Sequence, residues 1–173
     1  MPAATANQTI GPYWHLIEHA EWADLTRFGA QGEVITVGGQ VLDGDAAPVA
    51  DAAIEIWQAD PPADATFPGF GRTRCDAEGR FRFRTLKPSP VAGRGNAWQA
   101  PHLALVLHAR GVLKPLFSRL YFAGDRRNES DPLLSSIADP ARRETLLARE
   151  TAPAHWHLDI RLQGEDETVF LAL

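Results

Sequence analysis

Six histidines, two tyrosines and a single cysteine bound the chemistry open to this 173-residue chain. The histidines are His15, His19, His102, His108, His155 and His157; the tyrosines are Tyr13 and Tyr121. His102 stands near the start of an apolar run from Trp98 to Leu107. Residues two apart in a strand share a face, so a metal-binding strand here would want a second ligand at position 100 or 104. Both are alanine. His102 and His108 also share a face, but roughly 20 Å apart at the strand rise, too far to share an ion. His155-Trp-His157 puts two imidazoles on one face, as a zinc site needs. No third ligand is evident beside them, and two exposed histidines following the loop from Thr151 to Ala154 fit the same residues. Tyr121 lies in an apolar strand and reads as core; His102 alone reads as a hydrogen-bonded core histidine. Arg119 alternates with Phe117 and Tyr121, and is either a salt-bridge residue or an anion receptor. Phosphate-loop, Cys-x-x-Cys and Gly-x-Ser-x-Gly patterns are missing from the sequence.

Short strands must position these side chains. Val34 to Leu42, Ala53 to Trp57, Arg80 to Arg84, His102 to His108, Phe117 to Phe122, Trp156 to Leu162 and Thr168 to Leu171 read as extended, by alternation or by compact apolar runs between turns. Arg80-Phe-Arg-Phe-Arg84 is the cleanest, with arginines on one face and phenylalanines on the other. Residues 60–72 and 87–95 are rich in proline and glycine and read as long loops. Asp139-Pro140 gives an N-cap with proline at the first helical position, so a short helix is expected over 141–149. About seven strands with turns between them predict an all-β fold, an antiparallel β-sandwich with one short peripheral helix. Residues 1–32 lack periodicity and form an irregular N-terminal arm, in which Gly11-Pro12 breaks any regular element. A single domain is expected over 1–173, with the sandwich from residue 33.

Composition narrows the partners. The chain is 45% hydrophobic, enough for a globular core. The net charge of -5 argues against nucleic acid or an anionic membrane as the main partner. One cysteine, Cys75, excludes an internal disulfide and suits a reducing cytoplasm. The N-terminus does not read as a signal peptide, and no apolar run reaches membrane-spanning length.

An ordered set of short motifs adds a resemblance. Gln8-Thr-Ile-Gly-Pro-Tyr13, Ile54-Glu-Ile-Trp-Gln-Ala-Asp60, Gly71-Arg-Thr73, Lys87-Pro88, Ala100-Pro-His102, Arg119-Leu-Tyr-Phe122, Arg142-Arg-Glu-Thr-Leu146 and Asp159-Ile-Arg-Leu-Gln-Gly-Glu165 run nearly end to end. In this order they resemble the intradiol ring-cleavage dioxygenases, and within them the α chains of the two-chain members. That resemblance implies a non-haem ferric ion held by two tyrosines and two histidines in a homologous β subunit. There O2 opens the ring of protocatechuate between its two hydroxylated carbons. In this chain the four ligand positions are Ala65, Val91, His102 and Ala104, and an arginine of the catalytic chains is replaced by Gln99. The resemblance therefore implies no metal and no catalytic residue in this chain. It implies that Thr9, Gly11, Pro12 and Tyr13 line the partner's substrate pocket and that Arg119 faces the substrate carboxylate. Two other functions fit the residues: a catalytically silent scaffold or binding module, and a zinc hydrolase using His155 and His157.

Overall fold

The structure is a computed structural model that describes residues 19–50 and 52–172. Thr9, Gly11, Pro12 and Tyr13 lie outside the described residues, as do the arm's other positions up to residue 18.

The described residues form eleven strands: β1 Val34–Leu42, β2 Ala53–Trp57, β3 Phe70–Arg74, β4 Arg80–Leu86, β5 Val91–Ala92, β6 Trp98–Gln99, β7 His102–His108, β8 Leu116–Phe122, β9 Leu147–Ala152, β10 His155–His157 and β11 Ile160–Arg161. Nine form one continuous ladder. Its first half is β4-β1-β10-β9 and its second β8-β7-β2-β3, with β11 continuing beside β1 after β10; β5 and β6 form a separate hairpin. Alternation decides what each strand buries. Ile35, Val37 and Val41 of β1 and Phe81 and Phe83 of β4 point inward. Ile54 and Ile56 of β2 and Leu103, Leu105 and Leu107 of β7 come from the other half, and all pack into one core. The expected β-sandwich is present. Fully burying each such side chain stabilises the fold by about 1.5–3 kcal/mol before conformational entropy is counted.

Strand directions differ from a purely antiparallel sandwich. β1 runs parallel to β10 and β11, and β8 runs parallel to β9. The expected strand 156–162 is broken in two. At the break, Leu158 donates its N–H to the Gly38 carbonyl and its own carbonyl occupies the space a Cβ on residue 39 would need. Only glycine fits there, and Asp159 completes the edge by accepting the Gln40 N–H at 2.9 Å. The expected strand at 168–171 is reduced to a bridge between Phe117 and Leu171. Conversely, part of the expected loop 60–72 is strand β3, paired along the whole of β2.

The helical content also differs. Among the described residues there are two short α-helices, α1 Pro132–Ser136 and α2 Pro140–Glu144. Asp139 caps α2 through the Ala141 N–H, as expected, but the helix stops well before Arg149. The chain is drawn into β9 instead, because Leu146 is fully buried and its carbonyl accepts the Tyr121 N–H. Part of the arm packs on the sandwich. Leu25 is fully buried and donates its N–H to the Arg84 carbonyl, and the Arg84 guanidinium contacts Asp24 and Thr26. No helix among the described residues is long and apolar enough to cross a membrane.

Candidate functional site

The outward faces of β7 and β8 bring the candidate residues together. Register pairs His102 with Tyr121 and Ala104 with Arg119. Leucines fill the inward positions of β7, so His102 and Ala104 share the face turned away from the main core. Tyr121 shares that face and is nonetheless fully buried, because α1 and the turn into β9 cover it in a second small core with Ala100, Leu134 and Leu146. The hairpin β5–β6 closes the other side, with Val91 opposite Gln99.

A polar network threads this pocket. Arg119 Nη1 donates to Gln99 Oε1 at 2.7 Å and to the Tyr121 hydroxyl at 3.1 Å. Tyr121 donates to Asp131 Oδ1 at 3.0 Å. Asp131 is fully buried; it also caps α1 through the Leu133 and Leu134 N–H groups and accepts the Ala100 N–H at 2.9 Å. A buried carboxylate is tolerated only when donors surround it, and these four do so. Gln99 Nε2 donates to the Ala92 carbonyl, tying the hairpin to the same network.

His102 Nδ1 lies 2.8 Å from the Ala100 carbonyl oxygen, which can only accept, so Nδ1 carries the proton. Burial pushes the His102 pKa down, the Ala100 hydrogen bond opposes this, and the nearby Arg119 charge adds to the fall. Tyr121 is pushed far above the usual phenol range, first by burial and further by Asp131, with Arg119 opposing. It is a phenol at any physiological pH.

These groups do not fit a ferric ion. A hard trivalent cation wants anionic oxygen alongside imidazole. The pocket offers one imidazole nitrogen, a phenol already donating to Asp131, and a guanidinium opposite Ala104. Val91 sits in the β5–β6 hairpin and Ala65 is an exposed loop residue. Among the described residues no group of three or more His, Cys, Asp or Glu side chains could hold a metal. His155 and His157 do share a face of β10, but both are exposed. His155 Nδ1 faces the Pro153 carbonyl and His157 Nε2 faces Asp159, each at 2.9 Å, which leaves the zinc reading without a third ligand.

What the pocket can do is receive an anion. No carboxylate among the described residues lies within ion-pair distance of Arg119, which lines a cavity of about 450 Å3 together with Arg94, Gln99 and Leu133. Two features escape a reading by residue type alone. Asp131 carries the same Asp-Pro capping signal as Asp139-Pro140, and that signal could have marked it. Lys87 places Nζ 3.3 Å and 3.6 Å from the ring centroids of Phe122 and Trp156. Burial pushes its pKa down to about 8 against the pull of Glu33, Asp125 and Glu150. Nothing in its spacing announces that cage.

Comparison with known proteins gives the same class. A family model described as Dioxygenase matches residues 11–164. The protocatechuate 3,4-dioxygenase alpha chain of Pseudomonas putida is 37% identical over 190 aligned positions, covering 96% of this chain and 94% of the relative. The protocatechuate 3,4-dioxygenase beta chain of Burkholderia cepacia is 35% identical, covering 93% of this chain and 76% of the relative. Among solved structures, the dioxygenase domain of a dioxygenase–carbohydrate-binding fusion from Streptomyces sp. SirexAA-E superposes with a TM-score of 0.63 at 28% identity, over 94% of this chain and 99% of that one. The chain belongs to the intradiol dioxygenase family. The family is iron-dependent, and its two-chain members supply relatives of this chain on both the α and the β side.

Proposed function

We propose that the chain, as a single domain over residues 1–173, is the iron-free α subunit of a protocatechuate 3,4-dioxygenase in the cytoplasm. A homologous β subunit holds the ferric ion. The assembly carries out intradiol cleavage of protocatechuate by O2 to 3-carboxy-cis,cis-muconate, a step of aromatic catabolism in the β-ketoadipate pathway. The observation that carries this reading is the filled site: Arg119, Gln99 and a phenolic Tyr121 occupy the face where Ala104 and Val91 stand in place of ligands. Similarity along nearly the whole length of the Pseudomonas putida alpha chain supports the choice of subunit.

In this reading the chain's residues bind and orient. Thr9, Gly11, Pro12 and Tyr13 line the partner's substrate pocket, where Gly11-Pro12 lets backbone approach the ring closely. Arg119 receives the benzoate carboxylate in a charge-assisted hydrogen bond. Its lack of an ion-pair partner among the described residues and its place on a cavity wall support that role. The test is ring cleavage assayed with each chain alone and with the two co-purified. Activity in the co-purified pair and none in this chain alone is expected. Protocatechuate cleavage by this chain alone would overturn the assignment.

A further inference from the structure

A basic groove on the opposite half of the sandwich is not used by the function above. It is built on the outer face of β4, β1 and β10. One ladder rung sets Arg82, Gly38 and His157 side by side, and the next sets Arg84, Thr36 and His155. Residues two apart share a face, so Arg82, His155 and His157 ring the floor formed by Thr36 and Gly38. The groove encloses about 420 Å3, within the range of small-molecule sites. Gly38 keeps its floor low. A Cβ there would come within 2.9 Å of the Phe81 carbonyl oxygen, so a larger residue is resisted.

The charge balance is local and positive in a chain whose net charge is -5. Arg80 is compensated by Asp76 and Glu78. Arg82 has no carboxylate within ion-pair distance among the described residues. His155 Nδ1 faces a carbonyl and His157 Nε2 faces a carboxylate, so the proton of each neutral ring is already committed to an acceptor. The second nitrogen of each ring becomes a donor only when the ring is protonated. The charged groups around the two rings are Arg82 and Arg84 across β1, Arg149 and Glu150 on β9, and Asp159 beside His157; Arg74, Asp76 and Arg80 close the groove.

The geometry points to a binding site for a small oxyanion carrying two or more negative groups, held by Arg82, His155 and His157. The side chains of Arg82 and His157 rise from strands on either side of β1, about 10 Å apart by strand spacing, with His155 about 7 Å further along. A single carboxylate cannot span that triangle; a tricarboxylate can. An anion that uses the second nitrogen of either ring must bring a proton with it, so acid favours its binding.

The experiment is calorimetric titration of the full chain at pH 6 and pH 8. The probes are benzene-1,3,5-tricarboxylate, sulfate and benzoate at equal ionic strength, with the histidine Cε1 protons followed by NMR. Saturable tricarboxylate binding is expected, tighter at pH 6, with shifts at His155 and His157. Arg82→Gln should weaken it by about tenfold or more, the cost of one charged contact. Stronger binding of sulfate than of tricarboxylate would show that no anion spans the three side chains and would also overturn the proposal. Absence of saturable binding at pH 6, equal binding of benzoate, or full binding in a folded Arg82→Gln variant would overturn the proposal. Arg82 is exposed, so this variant is not expected to perturb the core.

Discussion

Arg119 carries more of this account than any other side chain. Its Nη1 is committed to Gln99 and Tyr121, and its positive charge meets no carboxylate directly among the described residues. Arg119→Ala in the assembled enzyme should therefore raise KM for protocatechuate by about 10- to 100-fold, the equivalent of about 1.5–3 kcal/mol for a charged hydrogen bond. Catechol lacks the carboxylate and should be affected far less. Equal effects on both substrates would remove the anion role. Lys87 supports a prediction of a different kind. Its folded pKa, about 8, lies below the usual lysine value, so burial disfavours its charged form. The stability this releases is complete above the unfolded pKa, near 10.5, and is lost as pH falls through about 8. Between pH 7 and pH 10.5 the wild type should gain up to about 2 kcal/mol relative to Lys87→Met, after discounting for partial exposure and for the two ring faces, which favour the cation. Urea denaturation of both proteins across that range measures it. A constant difference would mean the cage leaves the amine fully charged.

At the scale of elements, the network hangs on α1. That helix is one and a half turns long and too short to stand alone in water. Asp131 fixes it to β8 through Tyr121 and to the start of β7 through the Ala100 N–H. Asp131→Ala would leave these buried donors without an acceptor and should cost about 2–4 kcal/mol. Hydrogen exchange should then show faster exchange at Leu133, Leu134 and Ala100, with the core strands β1 and β4 retaining relative protection. Exchange unchanged at these amides would show that packing of Leu134 and Leu146, not the carboxylate, holds the helix.

The same elements show what the sequence makes legible. The spans of β2 and β7 coincide with the apolar runs at 53–57 and 102–108 because alternation and burial agree there. Phe70–Arg74 escapes because Phe-Gly-Arg-Thr-Arg has no apolar alternation; its place is set by pairing with β2. The parallel pairings of β1 with β10 and of β8 with β9 join residues far apart in the chain, and no turn signal announces them. The site was readable as far as residue type allows. His102 and Ala104 share a face by strand parity, as do Arg119 and Tyr121 on the next strand; that the two faces coincide is set by the β7–β8 register. The buried Asp131 and the position of Gln99 between Arg119 and Ala92 are tertiary facts, fixed by how α1 and the β5–β6 hairpin close over the sheet.

At the scale of the whole molecule, the proposed function makes this chain half of a site. Similarity to both an alpha and a beta chain fits a fold shared by the two chains of one assembly. The described residues around Arg119 do not fit a ferric ion. Iron content of the co-purified pair tests this most directly, measured by elemental analysis against the amounts of both chains. One iron for each pair of chains, a red-brown complex, and a colourless preparation of this chain alone are expected. Two irons per pair, or iron and colour retained by this chain without its partner, would contradict the proposed function.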